Sequence, residues 1–296
     1  MTCDAVCYGE ILWDVLPGKA LPGGAPMNVA YHLKKLGAHP ALISRAGNDA
    51  WGEKLIHVLS DSGLPTDYVQ TDDRHPTGLV NASVGDHNEV TYEIVQPVAW
   101  DFIDWQPSFP ALLAGAEYFI FGSLTSRSAA SRHTLFRLLE NARTKVLDIN
   151  LRPPHFQRSG VEALLEKADI LKMNESELQL LSGWYHSHLT PEAGMRLLQD
   201  RFHLQTIIVT MGGEGAQVLD GGTLHRHPGY PVQVSDTIGS GDAFLAGFLY
   251  HRSRGASVAQ SLAFACGLGA LVATYPGACP DYPLSALTQL MNVPSP

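Results

Sequence analysis

The stretch Asp236-Thr237-Ile238-Gly239-Ser240-Gly241-Asp242-Ala243-Phe244-Leu245-Ala246-Gly247-Phe248-Leu249 constrains this chain more than any other. Two glycines around a serine let the backbone turn tightly, and the apolar residues at 244, 245, 248 and 249 fall on one face of a helix beginning near Gly241. The first N–H groups of a helix have no partner inside it and stand at the positive end of its dipole. Such an end is built to meet an anion. Asp242 lies in the first turn, where a carboxylate is favourable as a plain helix-terminus residue. The other reading is catalytic: the N–H groups hold charge developing on a transferring phosphoryl group, while Asp242 takes the proton from an attacking hydroxyl. The stretch by itself leaves both readings open.

Elsewhere, short apolar runs alternate with helical periodicity. Ala5–Gly9, Leu42–Gly47, Tyr118–Ser123, Lys145–Arg152, Ala168–Asn174 and Thr206–Gly212 read as strands, with helices over Pro26–Leu36, Gly52–Asp61, about Arg132–Asn141 and Ser257–Thr274. This pattern predicts an α/β fold with a mostly parallel sheet covered on both faces. Ala216–Leu219 and Thr223–Arg226 flank a Gly-Gly turn and add antiparallel edge strands. Gly78–Val84 and Glu89–Val95, joined by a turn at Gly85–Asn88, form a polar hairpin that reads as a lid or a small added sheet. At 296 residues, residues 1–296 form one large domain, with lid segments near 12–22 and 77–102.

Composition excludes more than it assigns. With 45% hydrophobic and 17% charged residues the chain reads as an ordinary globular enzyme, and a net charge of -9 argues against nucleic acid or an anionic membrane surface as partner. No run of about 20 apolar residues is present, and Met1–Cys7 carries no basic segment ahead of an apolar one, so a cytoplasmic location is expected. Cys3, Cys7, Cys266 and Cys279 are too sparse for a disulfide framework, and the 13 histidines are scattered; His186 with His188, or His225 with His227, would share a face only on strands, where solvated or hydrogen-bonding roles are expected ahead of metal ligation.

Polar residues gather at the expected strand ends. Asp14 should leave the end of the first strand region, where open parallel sheets collect ligands. Pro26 suits a first helical turn, and Asn28 beside Gly23-Gly24 is either a local cap or an amide offered to two adjacent ligand groups. Asp148, Asn150 and Arg152, then Asn174 and Glu177, then Thr210 and Gly212 follow successive strands, which places them around a common cleft. A planar guanidinium at Arg152 suits phosphate. No Gly-x-x-x-x-Gly-Lys-Ser/Thr occurs, which stands against a P-loop nucleotidase.

Asp236–Asp242 resembles the C-terminal signature of the ribokinase-like (PfkB) carbohydrate kinases. Gly23-Gly24-Ala25-Pro26-Met27-Asn28-Val29-Ala30, with Leu33, Leu36 and Gly37, resembles their N-terminal one and is most similar to the fructokinases. The resemblance covers essentially the whole chain and implies a three-layer αβα sandwich with a β-sheet lid. It implies transfer of the γ-phosphoryl group of ATP to a sugar, with the 6-hydroxyl of fructose as first choice and ketodeoxygluconate, ribose or another small sugar as alternatives. On that reading Asp242 is the general base, the Gly239, Ser240 and Gly241 backbone is the anion hole, and Arg152 balances charge. Asp14, Gly24 and Asn28 meet the sugar, while Asn174, Thr210, Gly212, Gly215, Gly241 and Cys266 border the nucleotide. Glu177 would hold magnesium through water, Asp236 would shape a site for a monovalent cation such as K⁺, and the lid would supply a homodimer surface. The segment Ala99-Trp100-Asp101 departs from the family's commoner Ala-Asp wording. The reading of another class is a carbohydrate- or nucleotide-binding regulator without turnover.

Overall fold

The computed structural model describes residues 3–16, 18–84 and 90–292. The first strand, β1 (Ala5–Tyr8), is buried throughout and leads to β2 (Leu12–Leu16), β3 (Lys19–Gly23) and α1 (Ala25–Lys35). Then come β4 (Pro40–Gly47), α2 (Ala50–Asp61), β5 (Val69–Asp72), β6 (Gly78–Val84) and β7 (Val90–Ile94). The middle alternates α3 (Phe109–Gly115), β8 (Tyr118–Gly122), α4 (Ala129–Leu139), β9 (Thr144–Asp148), α5 (Arg158–Leu165) and β10 (Ile170–Asn174). The chain continues through α6 (Glu175–Gly183), α7 (Pro191–Phe202), β11 (Thr206–Thr210), β12 (Ala216–Asp220) and β13 (Thr223–His227). It closes with α8 (Ser240–Ser253), α9 (Val258–Ala273) and α10 (Leu284–Met291). The expected turn at Gly85–Asn88 with Glu89, Pro17 and the tail Val293–Pro296 lie outside the described residues.

The described residues form a nine-stranded sheet in the order β13-β12-β11-β10-β9-β8-β1-β4-β5, and a four-stranded sheet in the order β3-β2-β6-β7. In the large sheet β12 and β13 run antiparallel at one edge and the other pairings are parallel. Successive side chains on a strand point to opposite faces, so both faces must be covered. Val6, Tyr8, Phe119, Phe121 and Leu147 pack on one face with Leu135, Leu164 and Leu198 from α4, α5 and α7. Cys7, Ile120, Val146 and Ile208 pack on the other with Met27, Phe244, Leu245 and Leu262 from α1, α8 and α9. This is the three-layer α/β sandwich that the alternation predicts.

The small sheet mixes directions: β2 pairs parallel with β6, and antiparallel with β3, while β6 pairs antiparallel with β7. It relocates Asp14. The chain leaves β1 at Gly9, and the alternation at 12–16 continues as a new strand, so Asp14 sits in the middle of β2 opposite Leu21 and Val80. It belongs to the lid sheet rather than to the end of β1.

Two polar knots fasten this lid to the sandwich. Asp49 caps α2 by accepting from Gly52 N at 2.8 Å, and also accepts from Thr77 N and Thr77 Oγ1 at 2.8 Å each, just before β6 begins. At the other end Arg127 Nε and Nη2 donate to the two oxygens of Asp101 at 2.8 Å, and Nη2 also donates to Val95 O at 2.8 Å. The guanidinium lies 3.9 Å from the centre of the Trp100 ring. Ala99, Trp100 and Asp101 are therefore the buried foot of the lid. Among the described residues no helix is long and apolar enough to cross a membrane.

Arg127 and Asp101 expose only 5% and 4% of their side chains, so removing one leaves the other buried without its partner. Arg127→Met is expected to lower stability by about 3–5 kcal/mol in urea unfolding. A loss below about 1 kcal/mol would show that the pair is not what holds the lid's foot.

Candidate active site

Gly239 precedes α8 with φ of 76°, in the left-handed region, and a Cβ there would lie 2.5 Å from the Cα of Ala278. Only glycine fits this turn. The N–H of Ala243 donates back to Gly239 O at 2.9 Å and that of Ser240 donates to Thr237 O at 3.3 Å. Those of Gly241 and Asp242 have no backbone acceptor among the described residues. The helix begins at Ser240, one residue earlier than the sequence suggests. Ser240 Oγ turns away and donates to Gly269 O of α9 at 3.0 Å, so both the hydroxyl and the N–H of Ser240 are engaged within the fold.

Asp242 is 9% exposed in the first turn. Its Oδ2 accepts from Asn28 Nδ2 at 2.7 Å, joining α8 to α1 across the sequence. Burial, reinforced by the charge of Asp148, pushes its pKa up to about 7, against the opposing pull of Lys172 and the Asn28 hydrogen bond. Lys172 lies directly beneath. Its Nζ donates to Asp148 Oδ2 at 2.8 Å and Oδ1 at 3.1 Å, and stands 3.0 Å from where a Cβ on Gly241 would be. Burial opposes its charge, but Asp148 and Asp242 more than offset this and hold its pKa above the ordinary lysine value. Reading the sequence by motif gave Lys172 no role of its own. The available signal was a single lysine flanked by the apolar residues Ile170, Leu171 and Met173 of strand β10.

Asn28 has a partner at each end of its amide. Its Nδ2 donates to Asp242 and its Oδ1 accepts from Cys279 Sγ at 3.3 Å, contacts that fix the amide's orientation and leave one N–H and one lone pair for other partners. Gly24 caps α1 with φ of 118°, and a Cβ there would overlap the carbonyl oxygen of Glu10. Nearby, Asp14 is half-buried and has no hydrogen-bond partner among the described residues. Burial raises its pKa to about 6, with Arg152 pulling it down and Asp236 adding a small push upward. Arg152 is exposed, and its positive charge also reaches the buried Glu10. The structure thus sets Arg152 beside the Asp14 side of the site.

On the other side of the Gly239–Gly241 turn opens a cleft of about 470 Å³. Asn174, Thr210, Gly212, Gly215, Gly241 and Cys266 all line it. Tyr230, Val232, Val234 and Ala270 complete it as an apolar wall that the sequence did not single out. Small residues and an apolar wall at one end, with acceptorless N–H groups at the other, fit a flat ring system carrying phosphates. Asn174 and Glu177 form a capping box at the start of α6: Asn174 Oδ1 accepts from Glu177 N at 2.9 Å and Glu177 Oε2 accepts from Asn174 N at 2.8 Å. Glu177 Oε1 accepts from Leu151 N at 2.7 Å. Each Glu177 oxygen is thus committed to the backbone, leaving its second lone pair for a metal-bound water. Asp236 accepts from Ile238 N at 3.0 Å and Gly277 N at 3.1 Å, tying the turn to the segment after α9.

The sequence pattern of the pfkB family carbohydrate kinases matches residues 3–284. A fructokinase of Klebsiella pneumoniae is 31% identical over 93% of this chain and 94% of its own length. Among solved structures, an ATP-bound fructokinase from Xylella fastidiosa superposes with a TM-score of 0.87 at 25% identity, covering 98% of both chains. An aminoimidazole riboside kinase from Salmonella enterica, complexed with aminoimidazole riboside and an ATP analogue, superposes with a TM-score of 0.82 at 25% identity, over 98% of this chain and all (100%) of its own. With residues 3–284 matched and the site's geometry in place, this chain belongs to the pfkB family of carbohydrate kinases, ATP-dependent phosphotransferases acting on a sugar hydroxyl.

Proposed function

We propose that this chain transfers the γ-phosphoryl group of ATP to the 6-hydroxyl of D-fructose, with Asp242 as general base. The observation that carries the mechanism is a buried carboxylate with its pKa near 7, one residue beyond two glycines and beside N–H groups that lack acceptors. A base poised near the working pH combines the correct protonation state with useful basicity. The acceptor hydroxyl gives its proton to Asp242, and its oxygen attacks the phosphorus. The Gly239–Gly241 backbone faces the charge on the transferring group, and Lys172 adds a fixed positive charge below the same turn. Arg152 reaches in from the Asp14 side. Magnesium would arrive with the triphosphate and neutralise part of its charge, and Asn174 and Glu177 would orient its water shell. A monovalent cation beside Asp236 and a homodimer through the lid belong to the same reading.

Fructose as acceptor is supported by the wording of the first glycine motif and by the fructokinases among the relatives. The riboside kinase, with similar overlap, is why ribose-like acceptors stand second. The deciding assay is ADP release with magnesium-ATP across fructose, ribose, ketodeoxygluconate, glucose and nucleosides, with the phosphate position determined in the product. Fructose-dependent release of ADP with fructose 6-phosphate as product is expected. Preference for another sugar would overturn fructose and keep the mechanism, and a folded protein without turnover on any acceptor would favour the binding-only reading.

Asp242→Asn is expected to cut kcat by about 10²–10⁴-fold while ATP still binds. Near-normal turnover would exclude Asp242 as the base. Because the base must be ionised, kcat/KM should fall as pH drops through about 7, the value to which burial raises Asp242. Lys172→Met removes a cation that favours the ionised form, so this acid limb should move to higher pH. An unmoved limb would show that Lys172 does not act on Asp242. Arg152→Ala should lower kcat, and unchanged kinetics at all ATP concentrations would remove Arg152 from the mechanism.

A further inference from the structure

Helix α1 carries Asn28, Tyr31, His32 and Lys35 at the spacing of one helical face, and each holds the segment between α9 and α10. Tyr31 Oη donates to Pro280 O at 2.8 Å, and Lys35 forms an ion pair with Asp281. His32 is fully buried, with Nε2 2.9 Å from Ala278 O and Nδ1 2.8 Å from Tyr282 Oη, and the two rings stack with centroids 5.7 Å apart. Burial depresses its pKa to about 4, so it is neutral. A carbonyl only accepts, so Nε2 carries the proton, and Nδ1 accepts from the Tyr282 hydroxyl. The same segment packs Ala278 on Gly239 and donates Gly277 N to Asp236.

We propose that residues 278–282 are a brace for the Asn28 amide, and that the Cys279 thiol is the positioning group that keeps the amide's NH₂ end on Asp242. The catalytic consequence rests on the kinase reading; the geometry does not. An amide has two ends of nearly equal size. When Asp242 is ionised, the NH₂ end must face it. When Asp242 is protonated, the reversed amide is equally well satisfied, because its oxygen accepts the carboxyl O–H.

Cys279 breaks that symmetry. Its S–H donates to Asn28 Oδ1, and its sulfur is only a weak acceptor, so reversing the amide strands the NH₂ against sulfur and leaves the thiol without an acceptor. Burial, with the charge of Asp242 close by, pushes the Cys279 thiol well above the ordinary range, so it remains a donor at all working pH values. The thiol therefore disfavours the protonated carboxyl and helps keep the base available. The other groups facing Asp242 are Asp148 and Glu10, which raise its pKa, and Lys172, which lowers it.

The test compares Cys279→Ala with Cys279→Ser. A ¹³C NMR titration of the Asp242 carboxyl, which needs no turnover, should show its pKa rising by about half a unit or more in the alanine variant. A serine hydroxyl accepts as readily as it donates and so serves either orientation of the amide; the serine variant should therefore shift in the same direction as the alanine variant. The acid limb of sugar-dependent ADP release should move by the same amount in Cys279→Ala, with KM for ATP unchanged. An alanine or a serine variant that titrates like the parent overturns the proposal. Absence of turnover in the parent protein would sink the kinase reading separately, and the NMR titration would still decide the role of Cys279.

Discussion

A carboxylate buried at the start of a helix is the constraint around which this molecule is arranged. Asp242 is withdrawn from water and beside the charge of Asp148, and it is held at an intermediate basicity because Lys172 and Asn28 pull the other way. Each influence comes from a different element. Asn28 rides on α1, Asp148 ends β9, and Lys172 projects from β10, adjacent and parallel to β9 with Lys172 paired to Asp148 in register. Slipping β10 by one residue would turn Lys172 to the opposite face and leave Asp148 alone under the helix. Strand register, an ordinary property of the sheet, thus becomes a chemical property of the site.

The lid meets this centre on different terms. Asp14 sits on β2 without a partner among the described residues, while Ala99, Trp100 and Asp101 are spent on the foot. The segment whose wording departs from the family's commoner form is therefore anchoring structure.

Much of this was legible in the chain because it is written locally. The alternation of apolar runs and helical periodicity needs only a short window, and so does the glycine turn before α8. Asn174, Thr210 and Gly212 line one cleft because parallel strands deliver their C-terminal ends to the same edge, and α8 and α9 bring Gly241 and Cys266 to it from the helical layer. What could not be read depends on distant partners. Asn28 meets Asp242 214 residues away and Cys279 251 residues away, and no local pattern marks either contact. Asp14 reads both at the end of the first strand region and inside a lid segment near 12–22, because alternation identifies a strand without saying which sheet it joins; β2 joins the small sheet. The apolar wall at Tyr230 and Val232 lies in an irregular segment with no periodicity to follow.

Helix α8 is buried from Asp242 to Leu249 and packs against both α1 and α9. A helix wedged on two sides cannot swing to meet an incoming charge. Its terminal dipoles are already oriented when the anion arrives, so little reorientation of the protein is needed as charge builds on the transferring group. In this fold the fixed frame of reference is the helix end, and whatever moves during a catalytic cycle must move toward it.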